Sequence, residues 1–270
     1  MRVIYGPVPS WRLGRSLGVD PLGGAPKRCT FDCEYCQLGP TPSGSVLRDA
    51  RVDPAVLGDE LRATREVPAD YVTFAGVGEP TLASNLGDLL RVAREVRDTP
   101  IAVLTNASLL FDPGVREALT AADFVIAKLD AGDDECFRRI NRPRIPCWAQ
   151  DILEGIRIFR REFGGRFALQ MMFVGANLPQ AEPLAALAGS LMPDEVQLNT
   201  PLRPSPIPPL PPAAMREVAR VFSGLHVVQV YEAHRPTILP LDPLATRRRR
   251  PEWAESGWRT QPDTLVRCDR

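Results

Sequence analysis

Apolar residues recur along the chain in two alternating textures. Short β-rich runs read as buried strands: SLGVDPL (16–22), YVTFAG (71–76), IAVLTNA (101–107), FVIAKLDAG (124–132), FALQMMFVGAN (167–177) and VQLNTPL (196–202). Between them, apolar positions return at helical spacing. Leu57 and Leu61 mark one helix; Leu86, Leu89, Leu90 and Ala93 a second; Ile152, Ile156, Phe159 and Phe163 a longer one over 148–163; Leu184, Leu187, Ala188 and Leu191 another. Asp53-Pro54 and Asp112-Pro113 each set a capping carboxylate before a proline suited to the first helical position. Ser84 is a candidate cap for the helix that follows it, and DDECFRRIN (133–141) reads as a short helix. Six strand–helix units predict an α/β fold of parallel strands joined by right-handed crossovers.

The pattern breaks at both ends. The opening MRVIYGPVPSWRLGRS is rich in Gly and Pro and leads into the first strand-like run. PLRPSPIPPLPP (201–212) is too proline-rich for helix or strand and reads as a rigid extended connector. Met215, Val218, Ala219 and Phe222 then stripe a helix, HVVQVYEA (226–233) reads as a further strand, and the tail, with RRRR (247–250) and PEWAESGWRTQPD (251–263), suggests no fold. The division is a core over 1–200 and a C-terminal extension over 201–270.

Charge excludes little. Lys plus Arg and Asp plus Glu balance at 33 each, so no global field draws the 270-residue chain to nucleic acid or membrane. The N-terminus lacks a signal-peptide core, and no run of about 18 apolar residues offers a membrane span. The expected compartment is the cytoplasm, where thiols stay reduced. Only Lys27 and Lys128 represent lysine among the 33 basic residues. Each is worth noting, because arginine cannot replace an amine that must deprotonate.

The densest chemistry is KRCTFDCEYCQLG (27–39), with Cys29, Cys33 and Cys36 in eight positions. An odd count in a reducing compartment argues against disulfides. A structural zinc site would need a distant fourth ligand. A core role fits poorly with Thr30, Asp32, Glu34 and Gln37 interspersed. An iron–sulfur cluster suits the set: three thiolates can hold three irons of a 4Fe–4S cube and leave the fourth open. A chain gaining about 3.3–3.6 Å per residue can wrap such a cluster within this stretch.

GVGEPTL (76–82) follows the second strand, where ligands of parallel α/β sheets bind. Gly76 and Gly78 allow close backbone approach, Pro80 stiffens the exit, and Glu79 offers a carboxylate. A Gly-rich turn with a solvated glutamate is the plain alternative.

Together these stretches resemble the radical S-adenosylmethionine (radical SAM) superfamily. Cys-x-x-x-Cys-x-x-Cys with Tyr35 before the last cysteine resembles its cluster signature. GVGEP resembles its Gly-Gly-Glu-Pro motif, with Val77 for a glycine. LTNA resembles Thr-Asn-Gly, with Ala107 for glycine. KLDAGDDECFRRINRP resembles relatives of the molybdenum-cofactor cyclase, with Lys128 where a serine is usual. The likeness covers roughly residues 15–200. Its nearest flavour is a group of predicted Fe–S oxidoreductases near the wyosine tRNA-modifying enzymes, although no cysteine precedes Cys29 to hold that branch's second cluster.

The resemblance implies a partial (β/α)6 TIM-like barrel and a 4Fe–4S cluster on Cys29, Cys33 and Cys36. It implies SAM on the open iron, with Tyr35 and Asn199 beside the adenine. Glu79, Asn106 and Lys128 would hold the methionine part, within a SAM site that also includes Gly76, Gly78, Pro80, Thr105 and Asp130. An external flavodoxin- or ferredoxin-like donor would reduce the cluster, SAM would yield a 5′-deoxyadenosyl radical, and this would take hydrogen from an unidentified substrate. Lys128 has two further readings, a Schiff-base amine toward substrate or an ion pair with Asp130. Wyosine-type tRNA modification and a non-catalytic Fe–S or zinc protein are the alternatives. Cys136, Cys147 and Cys268 share no cluster spacing and read as incidental thiols. His226 and His234 make a weak metal argument, and RRRR reads as a solvated run or a phosphate contact.

Overall fold

The computed structural model describes residues 2–24, 26–43 and 46–250. Eight strands form one sheet in sequential order: β1 (Ile4–Ser10), β2 (Gly14–Val19), β3 (Tyr71–Phe74), β4 (Ile101–Thr105), β5 (Phe124–Lys128), β6 (Arg166–Met172), β7 (Glu195–Asn199) and β8 (Val227–Gln229). From β2 onward every neighbouring pair is parallel. The α-helices of the described residues are α1 (Pro54–Ala63), α2 (Leu86–Val96), α3 (Pro113–Leu119), α4 (Asp134–Ile140), α5 (Ala149–Glu162), α6 (Ala181–Leu191), α7 (Pro212–Val221) and α8 (Pro243–Arg249). The result is an open, curled sheet of parallel strands with a helical outer layer: the expected partial barrel.

Alternation along the strands builds two apolar layers. Ile101 and Val103 of β4 and Val125 and Ala127 of β5 face outward into the main core, where they meet helix residues such as Leu89, Leu90 and Ala93. Ala102, Phe124, Ile126 and Ala168 face the other way and join Leu13, Tyr71 and Leu104 in a small inner cluster. That cluster fills the lumen low on the strands. Polar side chains are left at their carboxyl ends.

The expected caps form at two helices. Asp53 Oδ1 accepts from Ala55 N at 2.8 Å, and Asp112 Oδ1 from Gly114 N at 2.8 Å. Ser84 caps nothing: α2 starts after Asn85, whose side chain instead donates to Val52 O at 2.9 Å.

The N-terminal segment departs from its Gly/Pro-rich appearance. It supplies β1, which pairs antiparallel with β2 through Tyr5↔Gly18 and Pro9↔Arg15. Prolines are tolerated because β1 is an edge strand. Gly18 is required, since a Cβ there would lie 2.2 Å from the Tyr5 ring. Past residue 200 the proline segment leads into α7, and β8 then joins the same sheet as three residues of the expected 226–233 run. Part of the RRRR run is no solvated face. It ends α8, whose winding turns Arg249 inward, 3% exposed, onto Asp20 of the segment after β2 at 2.8 Å. The remainder of the tail, with Cys268, lies outside the described residues.

Candidate cluster and cofactor site

The cysteine loop lies across the carboxyl ends of the strands, held from three sides. Arg28 forms a parallel bridge to Gly78: Arg28 N donates to Val77 O at 3.0 Å and Glu79 N to Arg28 O at 2.8 Å. Asp32 N donates to Asn141 O at 3.1 Å and Glu34 N to Ile140 O at 2.9 Å, tying the loop to the end of α4. From the proline segment, Ser205 Oγ donates to Tyr35 O at 3.1 Å. Within the loop, Cys36 N donates to Cys33 O at 3.0 Å. The interspersed polar residues are structural. Thr30 pairs with Ser108 at 2.6 Å, and Asp32 Oδ1 accepts from Thr41 N at 2.6 Å.

The glycines of GVGEP serve this packing. Gly78 has φ +137°, and a Cβ there would stand 1.6 Å from the Arg28 carbonyl oxygen; Gly76 has φ +128°, and its Cβ would stand 2.4 Å from Asp20 Cγ. Both therefore admit protein groups at close range.

Cys29, Cys33 and Cys36 line one cavity of about 220 Å³, with Lys27, Tyr35, Gly78, Glu79, Thr105, Asn106, Lys128, Gln170 and Met172 in its walls. All four motifs thus meet at one place. Glu79 is not solvated: it is 2% exposed. Its Oε1 accepts from Thr81 N, Thr81 Oγ1 and Thr105 Oγ1 at 3.2, 2.7 and 2.6 Å. Its Oε2 accepts from Asn106 N at 2.6 Å and keeps lone-pair capacity toward the cavity. Burial raises the Glu79 carboxyl, and these donors oppose the rise.

Asn106 Nδ2 reaches Cys29 Sγ at 3.5 Å and Thr30 Oγ1 at 2.8 Å. Lys27 Nζ stands 3.0 Å from Cys36 Sγ and 2.7 Å from Gly39 O, so this lysine sets a cation beside one thiol. Asn141 Nδ2 lies 3.6 Å from Cys33 Sγ, 2.9 Å from Tyr35 Oη and 2.8 Å from Asp130 Oδ2. Each cysteine therefore has a nitrogen donor beside it.

Tyr35 lends its ring to the cavity but donates its hydroxyl to Asp130. Lys128 Nζ sits 3.6 Å from Asp130 Oδ2 and 4.8 Å from the Tyr35 ring centre, the ion-pair arrangement. Asp130 is buried and also accepts from Met172 N at 2.7 Å. Pro80 is buried in the short 3₁₀ turn capped by Glu79. Gly76 and Asn199 line a neighbouring cavity, and Asn199 Oδ1 accepts from Thr200 N at 2.9 Å. Cys136 and Cys147 are buried free thiols, and both histidines are exposed.

Sequence reasoning did not single out Asn141 or Gln170. Asn141 sits inside the quoted KLDAGDDECFRRINRP stretch, a signal that was available. Gln170 Nε2 is buried with no hydrogen-bond partner among the described residues, a donor in the cavity wall.

The donor set fits an iron–sulfur cluster. The three thiols border one shared cavity. Burial pushes the Cys33 thiol up to about 11 and raises Cys29 as well, so the thiolates call for a cationic partner.

A curled parallel sheet with a three-cysteine loop across its carboxyl edge defines a class of cluster-bearing partial barrels. A model of the Radical SAM superfamily matches residues 26–187. The chain is 42% identical over 205 residues to a UPF0026 protein of Synechocystis sp., spanning 76% of this chain and 77% of that one. It is 33% identical over 230 residues to a UPF0026 protein of Methanocaldococcus jannaschii, spanning 83% and 71%. Among solved structures, Streptococcus suis SuiB bound to S-adenosylmethionine superposes with a TM-score of 0.63 at 16% identity, over 80% of this chain and 50% of that one. The structure titled anSMEcpe with bound AdoMet gives 0.58 at 18%, over 80% and 64%. The chain thus spans about half the length of SuiB, and these likenesses concern the fold. The chain belongs to the radical SAM superfamily and, within it, to the UPF0026 proteins. It is an enzyme whose cofactors are a 4Fe–4S cluster and SAM. No helix among the described residues is long and apolar enough to cross a membrane.

Proposed function

We infer that Cys29, Cys33 and Cys36 ligate the cluster and that the chain delivers a SAM-derived radical to a substrate held in the barrel lumen. The convergence of the three cysteines with Glu79 and Asn106 on one cavity carries this reading. When bound to Cys29, Cys33 and Cys36, the cluster would supply the electron for reductive cleavage of the sulfonium C–S bond of SAM, the source of the radical. Cluster reduction falls to an external flavodoxin- or ferredoxin-like donor.

The chain's residues orient and shield. Glu79 Oε2 would accept from the ammonium of SAM, its other oxygen being fixed by Thr81 and Thr105. Tyr35 is held by Asp130 with its ring as an apolar wall, and Lys128 stays at that ring, where its ammonium meets a carboxylate. Gly76, Gly78, Pro80 and Asn199 shape the surrounding backbone. The inner apolar cluster closes the lumen below and keeps water from the reacting centre.

Anaerobic reconstitution with iron and sulfide, then dithionite and SAM, should produce 5′-deoxyadenosine. Cys33→Ala should abolish both iron loading and product. Undiminished cleavage by that variant, or preferential zinc uptake by the parent, would overturn the reading. Product formed only on addition of tRNA would select a wyosine-type substrate.

A further inference from the structure

Beside the cysteine cavity lies a second one of about 290 Å³, and the two share Arg12, Gln37, Leu38, Gly78, Leu104 and Arg203 as walls. It is enclosed by the β1–β2 hairpin, the end of β7, the proline segment and α8. Its charge is one-sided. Arg12, Arg203, Arg235, Arg249 and Arg250 all line it, whereas no Asp or Glu among the described residues does.

Asp20 neutralises Arg249 from behind at 2.8 Å. Arg235 Nη2 donates to Val230 O at 3.5 Å. Arg12 Nε and Arg203 Nη1, by contrast, are buried without a hydrogen-bond partner among the described residues. Burial, with the nearby charge of Arg250 adding to it and that of Glu195 opposing it at Arg12, pushes the Arg12 guanidinium down to about 10 and that of Arg203 to about 9. Guanidinium nitrogens buried without a hydrogen-bond partner are costly unless an anion completes the site. Guanidinium forks fit phosphate oxygens in planar, paired fashion. The cavity has the size of a small-molecule site and too little room for a folded nucleic acid.

We propose that this arginine-lined cavity binds the phosphate or diphosphate group of a small phosphorylated substrate and so presents its carbon skeleton to the cysteine cavity. The proposal rests on the radical SAM reading above and narrows its substrate class. Arg12 and Arg203, shared by both cavities, hold the anion at the junction. Arg250 adds charge, and Ser16 and Thr73, hydrogen-bonded to each other at 2.7 Å, line the same wall.

Inorganic diphosphate is the probe, titrated calorimetrically into the reconstituted, SAM-loaded protein, with malonate as the dicarboxylate comparison. Saturable one-site binding is expected, with the affinity for SAM the same whether or not diphosphate is present. Arg12→Gln and Arg203→Gln should each weaken diphosphate by about tenfold or more. Arg220→Gln, on an exposed pair with Glu217, should leave it unchanged. Should Arg12→Gln fail to fold, Arg12→Lys keeps the charge, loses the fork and should bind with intermediate affinity. Absence of saturable binding, tighter binding of malonate, equal binding by the variants, or displacement of SAM by diphosphate would each overturn the proposal, the last because the guanidinium groups would then serve the carboxylate of SAM. Cleavage of SAM is followed in parallel. A protein that cleaves SAM but ignores diphosphate refutes only the anion site; one that binds diphosphate without ever cleaving SAM refutes only the radical reading.

Discussion

Gly78→Ala tests whether the cysteine loop is positioned by its fit against the turn after β3. The added Cβ would stand 1.6 Å from Arg28 O, about half a normal contact distance, and the obstructing atom is backbone that cannot swing aside. The loop must lift, and the two flanking bonds, Arg28 N to Val77 O and Glu79 N to Arg28 O, are lost or weakened. At about 0.5–1.5 kcal/mol each they account for roughly 1–3 kcal/mol. A non-glycine residue at φ +137° adds about 1–3 kcal/mol of strain. Gly224→Ala separates the two contributions, because Gly224 has φ +92° with nothing within 4 Å of its would-be Cβ. That control should show strain alone. Urea denaturation at constant m reads the stability difference, and iron and sulfide content after reconstitution reads the loop. Gly78→Ala should lose more stability than the control and most of its iron, while Gly224→Ala loads fully. Equal destabilisation together with full iron loading would refute the reasoning.

Two further perturbations probe charges that the fold has placed. Arg249→Met leaves Asp20 buried without its cation and should cost about 3–5 kcal/mol near neutral pH, with much of the loss recovered when Asp20→Asn is added. Burial already raises the Asp20 carboxyl with Arg249 opposing it, and loss of that cation raises it further. The deficit should therefore be small below about pH 4 and grow as pH rises toward neutrality, a trend read by denaturation at a series of pH values. Lys27→Met removes the ammonium 3.0 Å from Cys36 Sγ, which favours the reduced, more negative cluster. Its loss should shift the midpoint in an EPR-monitored redox titration to more negative values by on the order of tens of millivolts, whereas an unchanged potential would limit Lys27 to tethering the loop through Gly39 O.

The strands β2–β7 were legible because each is a compact β-rich run, followed in most cases by an apolar stripe at helical spacing. The Asp-Pro pairs at 53–54 and 112–113 announced their helices through local chemistry alone. β1 was not legible: Gly6, Pro7 and Pro9 argue against an interior strand, and only its edge position admits them. Arg249 looked solvated because its partner, Asp20, is 229 residues away. Cys29, Cys33 and Cys36 were found by spacing, but the partner of Lys27 depends on how the loop folds back. The arginine cavity gave no signal in a chain whose basic residues are nearly all arginine. Its lining comes from the hairpin, the proline segment and the C-terminal helix, elements that meet only in three dimensions. At Ala107 the sequence showed a departure from glycine and the structure shows its meaning, since the residue keeps φ +67° in the left-handed region where glycine would be unstrained.

These placements couple metal loading to the whole barrel. The loop makes few bonds of its own. It borrows Val77 from the turn after β3, Ile140 and Asn141 from the end of α4, and Ser205 from the proline segment. A detached loop would retain the cysteines and Lys27 but lose Asn106 and Asn141, two of the three side-chain donors now beside the thiols. Burial raises the Cys29 and Cys33 thiols, whereas a cluster takes thiolates. Binding iron must expel those protons, so affinity increases with pH while the thiols remain protonated. The energy recovered when a cluster neutralises the buried thiolates is then available to hold together β3, α4 and the proline segment. Any change that loosens one of those three elements should appear first as lost iron and only later as lost fold.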